Sequence, residues 1–145
     1  MATRETLFVD TDIVLDHLAD RMPFAEFSHR LFGLGETGAV NLAVSSLTLA
    51  NLFYILRKVR GREITLILLG KLRKLVEIVP IGGPEIDAAL ASSFTDFEDA
   101  RQHFAACAHG GITAILTRNG ADYASSELPV MSAEEYLARR PSAGG

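Results

Sequence analysis

The sequence predicts an α/β fold, a three-layer α/β/α sandwich built on a parallel sheet of four to five strands. Two observations carry this expectation. Apolar runs of strand length alternate along the chain with longer segments patterned at the helical period, the order that produces a parallel sheet covered on both faces. The 145 residues, 48% hydrophobic and 22% charged, suffice for one packed core and are ordinary for a globular chain. Residues 1–140 are therefore read as a single domain, and "PSAGG" (141–145) as a disordered tail.

Each element follows from local pattern. "TLFVD" (6–10) is a buried strand, Thr11 to Asp20 a helix, and a second helical segment after Pro23 runs out in the glycines at 33–38. Those glycines spell G-x-G-x-x-G, but a dinucleotide site needs a strand before them and a helix after, and here the order is reversed. They read as a helix stop and turn. "AVNLAVS" (39–45) is the next strand, Ser46 opens a helix through Arg60, and after Gly61 another helix carries Ile64, Leu68, Leu72 and Leu75. "VEIVPI" (76–81) is a third strand and Pro84 starts a short helix to Ser92. Thr95 starts an acid-headed helix, "TAILT" (113–117) is a fourth strand, and "LPVMS" (128–132) is a short fifth, followed by a helix to Arg139.

Composition excludes several classes. One cysteine, Cys107, rules out an internal disulfide, and the four histidines show no spacing that would make a zinc site. The amino terminus lacks a signal-peptide run and the longest apolar run, "ITLILL", is far below a membrane span, so the expectation is a cytoplasmic protein. A net charge of −4 argues against a blanket of positive charge for nucleic acid, although "RKVRGR" (57–62) and "KLRK" (71–74) are candidate local phosphate contacts.

In a parallel sandwich the ligand site lies outside the carboxyl ends of the strands. The residues there are Asp10, Thr11 and Asp12 after the first strand, Ser45 and Ser46 after the second, and Arg118, Asn119 and Asp122 after the fourth. "FTDFEDARQHFAACA" (94–108) adds three acids. Thr95 with Glu98 reads as a capping box, and first-turn acids suit the helix dipole, so capping accounts for Asp96 and Glu98. Asp99 points away from a stripe of Phe97, Ala100, Phe104, Cys107 and Ala108 and is not needed for capping. Asp96 either binds a second cation or supports the helix start, and Asp12 is either an outer-shell acid or, the first choice, a dipole partner of its own helix. With the first and fourth strands adjacent, Asp10, Asp99 and Asp122 converge on one sheet edge, where carboxylates suit Mg²⁺ and the polarisation of a phosphodiester.

"FVDTDIVL" (8–15) also resembles the nucleophile motif of the haloacid-dehalogenase phosphatases, which would use Asp10, Asp12 and Thr117. That family needs a later lysine, and Lys58, Lys71 and Lys74 all precede Thr117.

"LFVDTDIVLDHL", "SSLTLANLFYILRK", "FTDFEDARQHFAACA" and "AILTRNGADY" followed by "LPVMSAEEYL" together resemble the PIN domain, the fold of VapC-type toxin ribonucleases, from Leu7 to Leu137. The resemblance implies a metal-dependent endoribonuclease using Mg²⁺ or Mn²⁺, a homodimer, RNA as substrate and an antitoxin as partner. It also implies Asp10, Asp99 and Asp122 as metal acids, with Thr11 and Asn119 as polar neighbours that orient ligands and water. The chain departs from the family at Asn51, which holds the place of a usual glutamate. An amide there offers a neutral carbonyl where a carboxylate offers charge, so the expectation is that Asn51 assists with weaker metal affinity. The rival expectation is a PIN-fold binding module that has lost catalysis.

Overall fold

The computed structural model describes residues 4–140; the expected tail at 141–145 lies outside the described residues. Elements follow in the order β1 (Thr6–Val9), α1 (Thr11–Leu18), α2 (Ala25–Glu36), β2 (Asn41–Ser45), α3 (Ser46–Leu75), β3 (Val76–Val79), α4 (Gly83–Leu90) and α5 (Phe97–His109). β4 (Ile112–Leu116), a 3-10 turn (Gly120–Tyr123), β5 (Val130–Met131) and α6 (Ala133–Arg139) complete the chain. Among the described residues, five strands pair in parallel in the order β3-β2-β1-β4-β5.

Period-two alternation along these strands sorts side chains to two faces. Leu7, Val9, Leu42, Val44, Ala114 and Leu116 share one core with α1, α2, α3 and α6. Phe8, Ala43 and Ile115 share the other with Ala105 and Ala106 of α5 and with Tyr123. The expected α/β/α sandwich is therefore present. No helix among the described residues is long and apolar enough to cross a membrane.

α3 is two helical stretches joined at Gly61, whose φ of 78° and ψ of 166° interrupt the helix where the sequence predicts a break. The glycines at 33–38 have a more specific use than a stop. α2 continues through Gly33 and Gly35, and a Cβ on Gly35 would lie 2.7 Å from Leu42 Cδ1, so the missing side chain lets α2 close onto β2.

Two expectations about α5 are corrected. Its N-cap is Asp96 rather than Thr95, with Asp99 N donating to Asp96 Oδ1 at 2.9 Å. Its buried face is Ala100, Gln102, His103, Ala105 and Ala106, while Phe97 is 43% exposed. Gln102 and His103 face inward because each has hydrogen-bond partners there, which a reading by hydrophobicity alone does not register. His103 Nε2 accepts from Glu127 N at 3.1 Å, and Gln102 serves the site described below.

Strand order reverses beside β1, which pairs with β2 on one side and β4 on the other. The carboxyl ends of β1, β2 and β4 thus bound one crevice, and Asp10 N donating to Leu116 O at 2.9 Å continues the β1–β4 pairing to its rim.

Gly61→Ala is expected to lower stability by about 1–3 kcal/mol, since nothing crowds a Cβ there and the whole cost is backbone strain. Gly33→Ala, inside a helix with equally open surroundings, should raise it by about 0.4–1 kcal/mol. Urea unfolding of the two variants beside wild type checks both signs.

Candidate active site at the carboxyl edge of the sheet

Asp10 leaves β1 as the N-cap of α1 and is only 7% exposed. Its Oδ1 accepts from Thr11 N at 2.7 Å and from Gln102 Nε2 at 3.1 Å. Its Oδ2 accepts from Thr117 Oγ1 at 2.9 Å and from Tyr123 OH at 3.4 Å. Four donors from three separate parts of the chain therefore hold one buried carboxylate.

Gln102 connects this carboxylate to α3. Its Oε1 accepts from Ser45 Oγ at 3.0 Å and from Thr48 Oγ1 at 3.2 Å, and Thr11 Oγ1 donates to Thr48 Oγ1 at 3.1 Å. Ser45 caps α3 by accepting from Thr48 N at 3.2 Å. Three helices, α1, α3 and α5, thus begin at this edge, each with its N-cap there. Their positive dipole ends offset part of the cost of gathering carboxylates.

A cleft of about 310 Å³ opens at this edge, lined by Asp10, Thr11, Asp12, Asp96, Glu98, Asp99, Asn119 and Asp122, with Leu15, Arg21 and Ile55. The predicted acids therefore share one cleft. Asp122 is exposed on the 3-10 turn, an element the strand-and-helix pattern does not reveal. Asn51 does not line the cleft; its Nδ2 donates to Glu98 Oε1 at 2.7 Å.

Asp12 does more than meet its helix dipole. Its Oδ2 accepts from Arg118 N at 3.0 Å and from Asn119 Nδ2 at 3.2 Å, which ties α1 to the loop after β4. Its Oδ1 is buried with no hydrogen-bond partner. Burial, then the charge of Asp10, push its carboxyl up to about 6. Arg118 fastens the same loop a second time, with Nε and Nη2 donating to the fully buried Asp16 at 2.8 and 3.1 Å. A second cavity of about 220 Å³ lies beside this pair, lined by Ile13, Phe24, Phe27, Ser28 and Arg118 among others. It contains none of the converging acids, and its arginine is already neutralised by Asp16.

Asp99 experiences the cluster most strongly. Burial, then the charges of Asp10, Asp96 and Asp122, push its carboxyl up to about 7. Burial and the neighbouring Asp10 and Asp99 likewise raise the Tyr123 hydroxyl, which stays a neutral donor.

The donor set fits a hard divalent cation in kind. The cleft offers carboxylate, amide and hydroxyl oxygens with no cysteine or histidine, it holds an unpartnered buried oxygen on Asp12, and its acids repel one another. In position the fit is incomplete, because among the described residues no three His, Cys, Asp or Glu side chains are already grouped to hold an ion. Both oxygens of Asp10 are also engaged. Loading therefore requires side-chain movement, and the 3.4 Å contact from Tyr123, the longest on Asp10, is the weakest one to displace.

Gln102, Tyr123, Asp16 and the Asn51–Glu98 contact are absent from the site as read from sequence, and Thr117 entered only as a phosphate ligand of the phosphatase alternative. Thr117 is 1% exposed and donates to Asp10, so neither residue presents a free group for that chemistry.

A small parallel α/β domain with an acid-lined cleft at its switch point is the class that fold and site define. The sequence profile of the PIN domain matches residues 6–121, and the chain belongs to that family. Among solved structures, VapBC2 from Rickettsia felis bound to a DNA fragment from its promoter aligns with a TM-score of 0.63 at 17% identity, covering 88% of this chain and 97% of that one. Mycobacterium tuberculosis VapC20, a sarcin-ricin loop cleaving toxin, aligns with a TM-score of 0.63 at 17% identity over 82% of this chain and 94% of that one. DNA-bound VapBC from Salmonella typhimurium gives 0.64 at 17% identity, over 89% and 98%. No curated protein sequence matches the chain. At these identities the structures speak for the fold alone.

The raised carboxyls set a pH dependence. A folded-state value raised from 3.8 to about 7 means that the folded protein keeps a proton on Asp99 which the unfolded chain releases. That contribution is full below about pH 4 and is lost as pH rises through about 7, and Asp12 adds the same sign up to about 6. In buffer free of divalent cations the melting temperature should fall across this window. Asp99→Asn should flatten the fall and be more stable than wild type above pH 7 by on the order of 1 kcal/mol, a figure kept small because water screens this half-exposed group. Melts of both proteins across the window check it.

Proposed function

We propose that the chain is a single-domain, metal-dependent endoribonuclease that hydrolyses RNA phosphodiester bonds with Mg²⁺ or Mn²⁺ and serves as the toxin of a toxin–antitoxin pair. The observation that carries this reading is the convergence of Asp10, Asp99 and Asp122 on one acid-lined cleft in a member of the PIN-domain family. Asp10, Asp99 and Asp122 would hold the cation. Asp96 uses Oδ1 for its helix cap, and Oδ2 is the atom it would offer a second ion. A bound divalent cation would neutralise charge on the scissile phosphodiester and lower the pKa of the attacking water.

The chain's own residues supply the rest. Thr11 N, Gln102, Thr117 and Tyr123 fix Asp10, while Asn119 holds Asp12 through its amide and thereby the loop that bears Asp122. Asn51 assists through Glu98. Asp99, partly protonated near neutral pH, would give up that proton on binding a cation, so cation affinity would rise with pH.

Partners are proposed on surface chemistry and likeness. Arg57, Lys58, Arg60 and Arg62 are exposed on α3 beyond the cleft-lining Ile55 and suit RNA phosphates, a contact that positions without reading sequence. Exposed Ile64 and Ile67, one turn apart on the stretch of α3 after Gly61, form an apolar patch for a second copy. The likeness to VapBC structures supports an antitoxin partner. A free Cys107 and no membrane-length helix among the described residues accord with a cytoplasmic location.

Purified protein supplied with Mn²⁺ should cleave single-stranded RNA and stop on chelation. Asp10→Asn should cut the rate by at least about 100-fold while remaining folded by circular dichroism. Wild type that binds RNA yet leaves it intact at every Mn²⁺ and Mg²⁺ concentration would favour the non-catalytic binding module instead.

A further inference from the structure

Glu98 lines the cleft but has no part in the scheme above beyond its contact with Asn51. Its sequence position suggests a capping residue. In this molecule, however, glutamates that cap a helix reach back to the N-cap backbone, as Glu85 does to Gly82 N at 3.1 Å and Glu135 to Ser132 N at 3.0 Å. Glu98 does not. With Asp96 as the N-cap it stands one position too early for that contact, and its Oε1 instead accepts from Asn51 Nδ2 at 2.7 Å, across to α3.

A carboxylate only accepts, so the Asn51 amide must turn its NH₂ toward Glu98. Its carbonyl, the atom that could meet a cation, therefore points elsewhere, and Asn51 is not part of the cleft lining, whereas Glu98 is. The amide holds one oxygen of Glu98. Among the described residues the second, Oε2, accepts no side-chain or backbone donor.

We propose that Glu98 is a further cation-facing carboxylate of this cleft and that Asn51 is its positioning residue, which moves to Glu98 the cation contact expected of Asn51. The inference rests on the reading of the cleft as a divalent-cation site. A hard cation gains more from the charged oxygen of Glu98 than from a neutral amide. The Asn51 hydrogen bond orients that oxygen as an outer partner orients a metal ligand.

Calorimetric titration of Mn²⁺ into wild type, Glu98→Gln, Asn51→Ala and Asp99→Ala tests it without recourse to activity. Glu98→Gln keeps the shape and can still accept from Asn51, so its loss reports on charge alone. Expected is a weakening of Mn²⁺ affinity by about 10- to 100-fold in Glu98→Gln and about tenfold in Asn51→Ala, with a variant that combines Glu98→Gln and Asn51→Ala no worse than Glu98→Gln. Unchanged affinity in Glu98→Gln beside lost binding in Asp99→Ala would overturn the role of Glu98 and leave the cation site standing. Weakening in Glu98→Gln with wild-type affinity in Asn51→Ala would overturn the positioning role. Absence of Mn²⁺ binding in wild type would overturn the inference and the underlying reading together.

Discussion

The side-chain amide of Gln102 has both N–H donors and both carbonyl lone pairs occupied, in a position 1% exposed. Its partners come from the β1–α1 junction, from the β2–α3 junction and from the 3-10 turn, so one side chain on α5 fixes three other pieces of the crevice. Buried amides are costly unless satisfied and rigid when they are. Here satisfaction in full turns a polar residue in the second core into the fastener of the sheet's carboxyl edge. Asp10 takes part of its orientation from that fastener, beside Thr11 N and Thr117 Oγ1, and the remaining acids are arranged around Asp10.

Gathering these acids works against stability. Asp99 and Asp12 are both pushed toward neutrality by burial and by neighbouring carboxylates, so the edge is least comfortable when empty of positive charge. Parallel topology supplies a partial remedy, because α1, α3 and α5 all start there and present their amino ends to the acids. Arg118 and Asn119 then close the loop after β4 onto Asp16 and Asp12, which keeps Asp122 at the rim. Fold and site thus share one constraint, a set of helix starts and strand ends held within reach of one another by buried polar contacts.

Much of this was legible in the sequence where the signal is local. The unbroken apolar run Leu7, Phe8 and Val9 marks a strand buried on both faces, Gly61 marks a break, and Asp10, Asn119 and Asp122 follow strands, where a parallel sandwich places ligands. Nonlocal contacts were not legible. Gln102 inside a helix reads as surface because its partners lie 21 to 92 residues away. Asp16 reads as an ordinary exposed helix acid until Arg118 is brought to it. A shift of one residue in the N-cap of α5 was enough to exchange the capping roles of Thr95 and Asp96 and to release Glu98 toward the cleft.

The measurement closest to the central claim is equilibrium urea unfolding of Gln102→Leu, which preserves bulk and removes every hydrogen bond of the amide. If Gln102 fastens the edge, Ser45, Thr48, Tyr123 and Asp10 lose a buried partner together, and stability should fall by about 3 kcal/mol. A loss below about 0.5 kcal/mol, the range of an ordinary surface substitution, would contradict the account.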